Sequence, residues 1–147
     1  MIRDINKEDK DIFIQMVKDF FSSDAVLHDI PASHISKTFK EVTSDSPYAK
    51  AYIIEENKQV AGYGLVSLTY SNEAGGMVVW IEELYILNQF RGLGLGNEFI
   101  DYIHARFPNA KRFRLELSES NKAAQRLYRR KGFSPLNYVQ MVSDKDN

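Results

Sequence analysis

The sequence predicts a mixed α/β fold, with a mostly antiparallel central sheet of six to seven strands flanked by about four helices. Three observations predict it. Three strand-like runs follow one another between residues 51 and 87, which favours antiparallel neighbours. Two later strand–helix units, 77–106 and 112–131, favour parallel pairing. Two segments of helical periodicity precede the middle strands, so helices are available to cover the sheet. The predicted order is β-α-α-β-β-β-α-β-α-β. No shift in composition marks a second domain, and one domain over residues 1–147 is expected.

Met1 to Ile5 reads as a short first strand. Ile12, Phe13, Met16, Val17 and Phe20 recur at helical spacing and predict a helix from Lys7 to Ser22. Ile35, Phe39 and Val42 predict a second, starting after Ser33 as its N-cap. Ala51 to Glu55 is a strand, Asn57-Lys58 a hairpin turn, and Val60 to Tyr70 a long strand. Gly62 and Gly64 within it signal a bulge or a close backbone approach. Met77 to Leu87 is the next strand. Leu95, Phe99 and Ile103 fall at i, i+4, i+8, so a helix runs to Arg106 and stops before Pro108. Arg112 to Ser118 alternates apolar and charged residues, as a half-buried strand does. Asn121 to Lys131 is a helix with basic residues at its negative end, closed by Gly132. Phe133 to Val142 holds a last strand or two, and Ser143 to Asn147 a frayed tail.

Composition excludes several classes. The chain has no cysteine, which removes disulfide frameworks, zinc–thiolate and iron–sulfur sites and a cysteine nucleophile. His28, His34 and His104 lack metal-site spacing, so no metal is expected. The longest apolar run, Met77 to Ile81, is far short of a membrane span, and no apolar stretch of a secretory signal opens the chain. A cytoplasmic setting is expected. Net charge is −1, but residues 1–88 carry 8 basic and 14 acidic side chains and residues 89–147 carry 11 and 6. That density does not suit a nucleic-acid surface. It would suit an anionic ligand on one side and a cationic one on the other, although clustering on solvated faces also explains it.

The first chemical signal is Arg91-Gly92-Leu93-Gly94-Leu95-Gly96-Asn97, between a strand and a helix. Successive glycines let a bulky anion approach the backbone, and the helix start adds unpaired N–H groups. The run is neither a P-loop nor a dinucleotide fingerprint: no Gly-Lys-Ser/Thr follows, and position 97 is Asn where the latter needs Gly. Arg91-x-x-Gly94-x-Gly96 is what it contains. The second signal is Asn121-x-x-Ala124-x-x-x-Tyr128, whose residues share a helix face, followed by Gly132-Phe133. A capping Asn and a core Tyr would explain that helix taken alone.

Together the two motifs resemble the GNAT superfamily of N-acetyltransferases, and the likeness covers nearly the whole chain. Ile81-Glu82-Glu83-Leu84-Tyr85-Ile86 joined to the glycine turn is similar to the diamine and polyamine acetyltransferases within it. The resemblance implies an acyl-CoA N-acyltransferase fold and acetyl-CoA as cosubstrate, bound between two splayed strands. The backbone of Leu84, Tyr85 and Ile86 would hold the pantetheine arm. Arg91 and the amides of Gly92, Leu93, Gly94, Leu95, Gly96 and Asn97 would hold the pyrophosphate. Asn121 would touch the cofactor arm, and Tyr128 would lie near the thioester sulfur. The acceptor would be a small-molecule amine or a peptide amine, and a homodimer is a common arrangement in the family. The resemblance places Glu82 as general base, with Glu83 next or as a partner for the substrate's charge. The two are adjacent, so a regular strand points them to opposite faces and only a bulge changes that. It also implies acceptor recognition by the connection holding Asp24, His28 and Asp29, which a solvated loop explains equally well.

The chemistry follows from proton inventories. An alkylammonium with pKa ~10.4 has no lone pair and must lose a proton before attacking a thioester. A carboxylate raised by burial can accept it. Tyr128 would either protonate the leaving thiolate or only donate a hydrogen bond to it. Direct transfer is expected. The alternative function is a CoA-binding module of the same fold without catalysis, and a third reading is a nucleotide-binding protein, which leaves the Asn121–Tyr128 helix unexplained.

Overall fold

The computed structural model describes residues 1–145. In order, the elements are β1 (Ile2–Asp4), α1 (Lys10–Phe21), α2 (Ala32–Val42), β2 (Ala49–Glu56), β3 (Gln59–Ser71), β4 (Gly76–Ile86), α3 (Leu95–Arg106), β5 (Arg112–Leu115) and α4 (Lys122–Arg130). Short 3₁₀ turns occupy Lys7–Asp9 and Asn88–Phe90. Among the described residues the sheet has five strands in the order β1-β2-β3-β4-β5. The first four pair antiparallel, and β5 joins β4 in parallel across α3.

The expected six to seven strands are therefore corrected to five among the described residues. Phe133 to Val142 joins no ladder. Pro135 has no N–H to give, and the Tyr138 amide closes a tight turn onto the Leu136 carbonyl at 2.8 Å instead of reaching a neighbouring strand. Of the tail expected over Ser143 to Asn147, positions 146 and 147 lie outside the described residues. The other corrections are local. The first helix begins as a 3₁₀ turn because Asn6 and Asp9 form a capping box at its entry. Asp9 is held further by the fork of Arg3, with both guanidinium nitrogens 2.9 Å from its carboxylate oxygens. α2 starts at Ala32 behind Pro31, which presets an extended backbone, and Ser33 sits inside its first turn.

Helices cover both faces of the sheet. On one face Phe13, Met16 and Phe20 of α1 and Ile35 and Phe39 of α2 pack on Ile53, Tyr63 and Leu65. On the other, Phe99, Ile100 and Ile103 of α3 pack with Tyr128 of α4 against Tyr52, Ile54, Val66 and Ile81. β2 is apolar at successive positions because Ala51 and Ile53 face one core while Tyr52 and Ile54 face the other. The two β3 glycines mark close approaches. A Cβ on Gly64 would overlap the Phe99 ring, and one on Gly62 would strike the Tyr85 carbonyl oxygen. Among the described residues no helix is long and apolar enough to cross a membrane.

Candidate active site

Two breaks in sheet regularity build the site. The first is where β4 and β5 part. Their ladder runs from Val78↔Arg112 to Ile81↔Leu115 and stops, while β4 continues to Ile86. The sheet opens beside residues 82–86, and a cleft of about 720 Å³ occupies the opening. Leu84, Tyr85, Ile86, Arg91, Gly92, Gly94, Leu95, Gly96, Asn97, Asn121 and Tyr128 all line it. The structure thus brings both sequence motifs to one cavity. Leu93 is exposed and does not line it, and neither do Glu82 and Glu83.

The glycine turn has two kinds of glycine. Gly92 and Gly94 have φ of +79° and +83°, a conformation that costs an L-residue roughly 1–2 kcal/mol. A Cβ at either would meet nothing within 4 Å, so the missing side chains leave room beside the cleft. Gly96 differs: its Cβ would lie 3.0 Å from Leu127 Cδ2, so this glycine lets α3 approach α4. Gly94 is the N-cap of α3 and has no side chain to cap with. The amides of Leu95, Gly96 and Asn97 therefore stand in the first turn without intrahelical partners. Arg91 donates from Nε to the Ile86 carbonyl at 2.9 Å, and its guanidinium carbon sits 5.5 Å from the Tyr85 ring centroid. That anchors the base of the fork and leaves its terminal nitrogens for an anion.

On α4, Asn121 caps the helix by accepting from the Ala124 amide at 3.2 Å. Its Oδ1 is used structurally, and its amide nitrogen is the group left to donate. Tyr128 lies two turns along, buried at the cleft, and its hydroxyl has no hydrogen-bond partner among the described residues. Burial pushes this phenol up to about 12.

The second break is a bulge. Leu65 pairs with Glu83 and Val66 with Ile81, so Glu82 is the extra residue on β4. The bulge turns adjacent carboxylates to the same face. Glu82 accepts from Ser67 Oγ at 2.7 Å and Glu83 from Tyr63 Oη at 2.6 Å, and Ser67 and Tyr63 share one side of β3. Their surroundings differ. Glu82 is exposed. Glu83 is largely buried and its carboxyl is raised to about 7, chiefly by burial. The Tyr63 hydrogen bond opposes that shift and the Glu82 charge adds to it. Tyr63, buried among Phe13, Phe20 and Tyr85, is raised well above an ordinary phenol.

Sequence reasoning missed Tyr63, whose part depends on the bulge register. It also missed Phe20, Ser22, Ser23 and Arg130, which line the cleft along with Asp24. The connection after α1 reaches the cleft because Ser118 Oγ, past the end of β5, donates to the Asp24 carbonyl at 3.0 Å. The distance of 94 residues between those partners leaves no local signal.

Comparison with known proteins bears on this geometry. The profile of the Acetyltransferase (GNAT) family matches residues 13–133, from the first core residue of α1 to the aromatic that follows α4. Thialysine N-epsilon-acetyltransferase from Mus musculus is 25% identical over 145 residues, covering 92% of this chain and 84% of that protein. Two solved structures share the fold. One is AAC(6')-Iy in complex with the bisubstrate analogue CoA-S-monomethyl-acetylneamine, with a TM-score of 0.79 and 18% identity over 99% of this chain and 98% of the other. The other is a predicted acetyltransferase with acetyl-CoA from Clostridium acetobutylicum, with a TM-score of 0.79 and 15% identity over 97% of this chain and 95% of the other. The family match spans the bulged strand, the glycine turn and the capped helix that together make the cleft, and the chain belongs to the GNAT family of acetyltransferases.

Proposed function

We propose that this protein moves the acetyl group of acetyl-CoA directly to a primary amine, with Glu83 helping to remove the amine's proton and Tyr128 donating a hydrogen bond to the leaving sulfur. The observation that carries the reading is a buried carboxyl with pKa about 7, on the bulge where β4 parts from β5. At neutral pH such a carboxyl is poised to accept a proton, as an ordinary exposed carboxylate is not. Glu82 is exposed beside it and suits the attraction of a cationic acceptor. A primary amine as acceptor is supported by the relatives, one named for acetylating thialysine and one held with an acetylneamine conjugate.

The other residues divide the work of binding. The first-turn amides of α3 and the fork of Arg91 suit a pyrophosphate. The backbone of Leu84, Tyr85 and Ile86 lines the opening beside β5 and suits an amide-bearing arm, with the free Asn121 amide opposite. The thioester supplies the acetyl group, and the chain supplies position and protons. A thiol has pKa ~8.5, so full proton donation from a phenol at about 12 would be uphill by roughly 5 kcal/mol. Tyr128 acts as a hydrogen-bond donor.

The test is thiol release from acetyl-CoA over polyamines, amino sugars, amino acids and peptides. Release with one primary-amine class is expected, and silence across every class would overturn the reading. With the responding amine, Glu83→Gln should lower kcat by about 100-fold or more. Glu82→Gln should change it by less than about tenfold, because an exposed charge chiefly steers encounter. The reverse order would move the base to Glu82.

A further inference from the structure

The face of the sheet that holds Glu82 and Glu83 continues past the cover of α1 and α2. Residues paired across neighbouring strands point to one side. Ser67 pairs with Trp80 and Trp80 with Arg114, so the three stand in a row across β3, β4 and β5 on that face. All three are half-buried, and Trp80 joins neither core. Glu82 is tied to the row by the hydrogen bond it accepts from Ser67 Oγ at 2.7 Å.

Arg112 and Arg114 alternate along β5 and share this face, but their charges are engaged differently. Arg112 donates to Glu73 at 2.8 Å and is neutralised there. Arg114 makes no ion pair among the described residues. Its guanidinium carbon lies 4.0 Å from the centroid of the Trp80 ring. Stacking of this kind fixes the plane of a guanidinium and leaves its N–H edge open. A planar fork so held is prepared for a carboxylate and repels an ammonium. Arg114 also stands next to Leu115, where the ladder with β4 ends and the sheet opens. The opening therefore has carboxylates on its β4 side and an unpaired guanidinium on its β5 side. A strand advances ~3.3 Å per residue, so the row of Trp80 and Arg114 lies roughly 7–10 Å from Glu83 along β4.

We propose that the acceptor carries a carboxylate at the end remote from its reacting amine, and that Arg114, stacked on Trp80, binds it. The amine then lies at Glu83 and the chain between the two ends lies along Trp80. The substrate class is an ω-amino acid, of which a free amino acid with a side-chain amine is one form. A diamine of the same length is disfavoured, because its second ammonium would meet Arg114. The narrower resemblance, to diamine and polyamine acetyltransferases, implies the opposite choice. The inference rests on the amine-acceptor reading above and adds to it the other end of the acceptor.

Three probes of matched length test it: 6-aminohexanoate, 6-aminohexanamide and cadaverine, which end in a carboxylate, a neutral amide and an ammonium. Thiol release from acetyl-CoA should favour 6-aminohexanoate over cadaverine by about 10- to 100-fold in kcat/KM, the scale of a hydrogen bond to a charged group, with the amide between. Arg114→Gln should bring the three within about threefold of one another, by raising KM for 6-aminohexanoate more than it lowers kcat. Arg112→Gln, whose partner in the wild type is Glu73, should keep the wild-type preference. Each preference is a ratio within one preparation, so a loss of folded protein cancels. A wild type that treats the probes alike or prefers cadaverine, or an Arg114→Gln variant that keeps the preference, would overturn the proposal while acetyl transfer to amines stands. Calorimetric titration of 6-aminohexanoate and cadaverine into the CoA complex reads the same preference without turnover. Binding of the carboxylate that depends on Arg114, with no thiol released, would sink the transferase reading and keep the site. Absence of both binding and release would sink the site as well.

Discussion

Glu83 shows how one residue's neighbours decide its chemistry. Two identical side chains follow one another in the chain, and Glu82 meets Ser67 and water while Glu83 meets Tyr63 and a core. That Glu83 is raised to about 7 is also a statement about stability. In the unfolded chain the same carboxyl ionises near its ordinary value of 4.5. Below that pH both states hold the proton and nothing is lost. As pH rises through the window from 4.5 to about 7, the unfolded state releases it first, and folding stability falls. Above 7 the loss is complete, at about 3 kcal/mol on the scale of 1.36 kcal/mol per unit. Glu83→Gln, neutral throughout, should therefore unfold later than wild type at pH 8 by about this amount and together with it at pH 4. Denaturant titrations at the two pH values check it, and equal midpoints at pH 8 would mean the carboxyl is not buried in solution. The pair was legible as a pair. Which member turns inward was not, because it depends on a one-residue mismatch between β3 and β4 that neither strand reveals alone.

At the scale of elements, legibility followed periodicity. α1, α3 and α4 were read within a few residues because apolar side chains at helical spacing must face a core. The glycine turn was read because positive φ at Gly92 and Gly94 suits glycine best. The segment 133–142 has the composition of a strand, but Pro135 and the tight turn from the Tyr138 amide to the Leu136 carbonyl keep it out of any ladder among the described residues. α4 shows what an element adds to a residue. Its N-terminus is fixed by the Asn121 cap and its end by the Phe133 amide, which donates to the Tyr128 carbonyl at 2.9 Å. Tyr128 is thus clamped between a capped start and a closed finish, with its ring edge-on to Phe133 at 5.5 Å. A phenol so held gains little freedom on losing its hydroxyl. Tyr128→Phe should keep the fold and KM for acetyl-CoA while lowering kcat by about 100-fold, the scale of one positioned donor. Steady-state kinetics separates the two constants. A loss confined to KM would make Tyr128 a binding residue only, and unchanged constants would remove it from the site.

Over the whole molecule, the cleft joins what the sheet separates. Phe20 and the residues after α1 come from one core, and Leu95, Leu127 and Tyr128 from the other. Its charges follow the uneven sequence: Asp24 from the acidic half, Arg91 and Arg130 from the basic half. A ligand that spans the cleft must stabilise both layers together, so binding should appear as a shift of a single unfolding transition. At 100 times its Kd a ligand of the native state contributes about 2.7 kcal/mol. For a chain of this size that is a rise in Tm of roughly 5–11 °C, at 2–4 °C for each kcal/mol. If the α3 amides and Arg91 hold the pyrophosphate, pantetheine should give a much smaller shift than CoA at equal concentration. Added salt should shrink the CoA shift, and leave the pantetheine shift nearly unchanged. Gly94→Glu, which puts a carboxylate into the open space beside the turn, should abolish the difference between the two ligands. Scanning calorimetry with both ligands decides it. Equal shifts in the wild type would mean that the glycine turn is a structural corner and that the cleft grips its ligand through the arm alone.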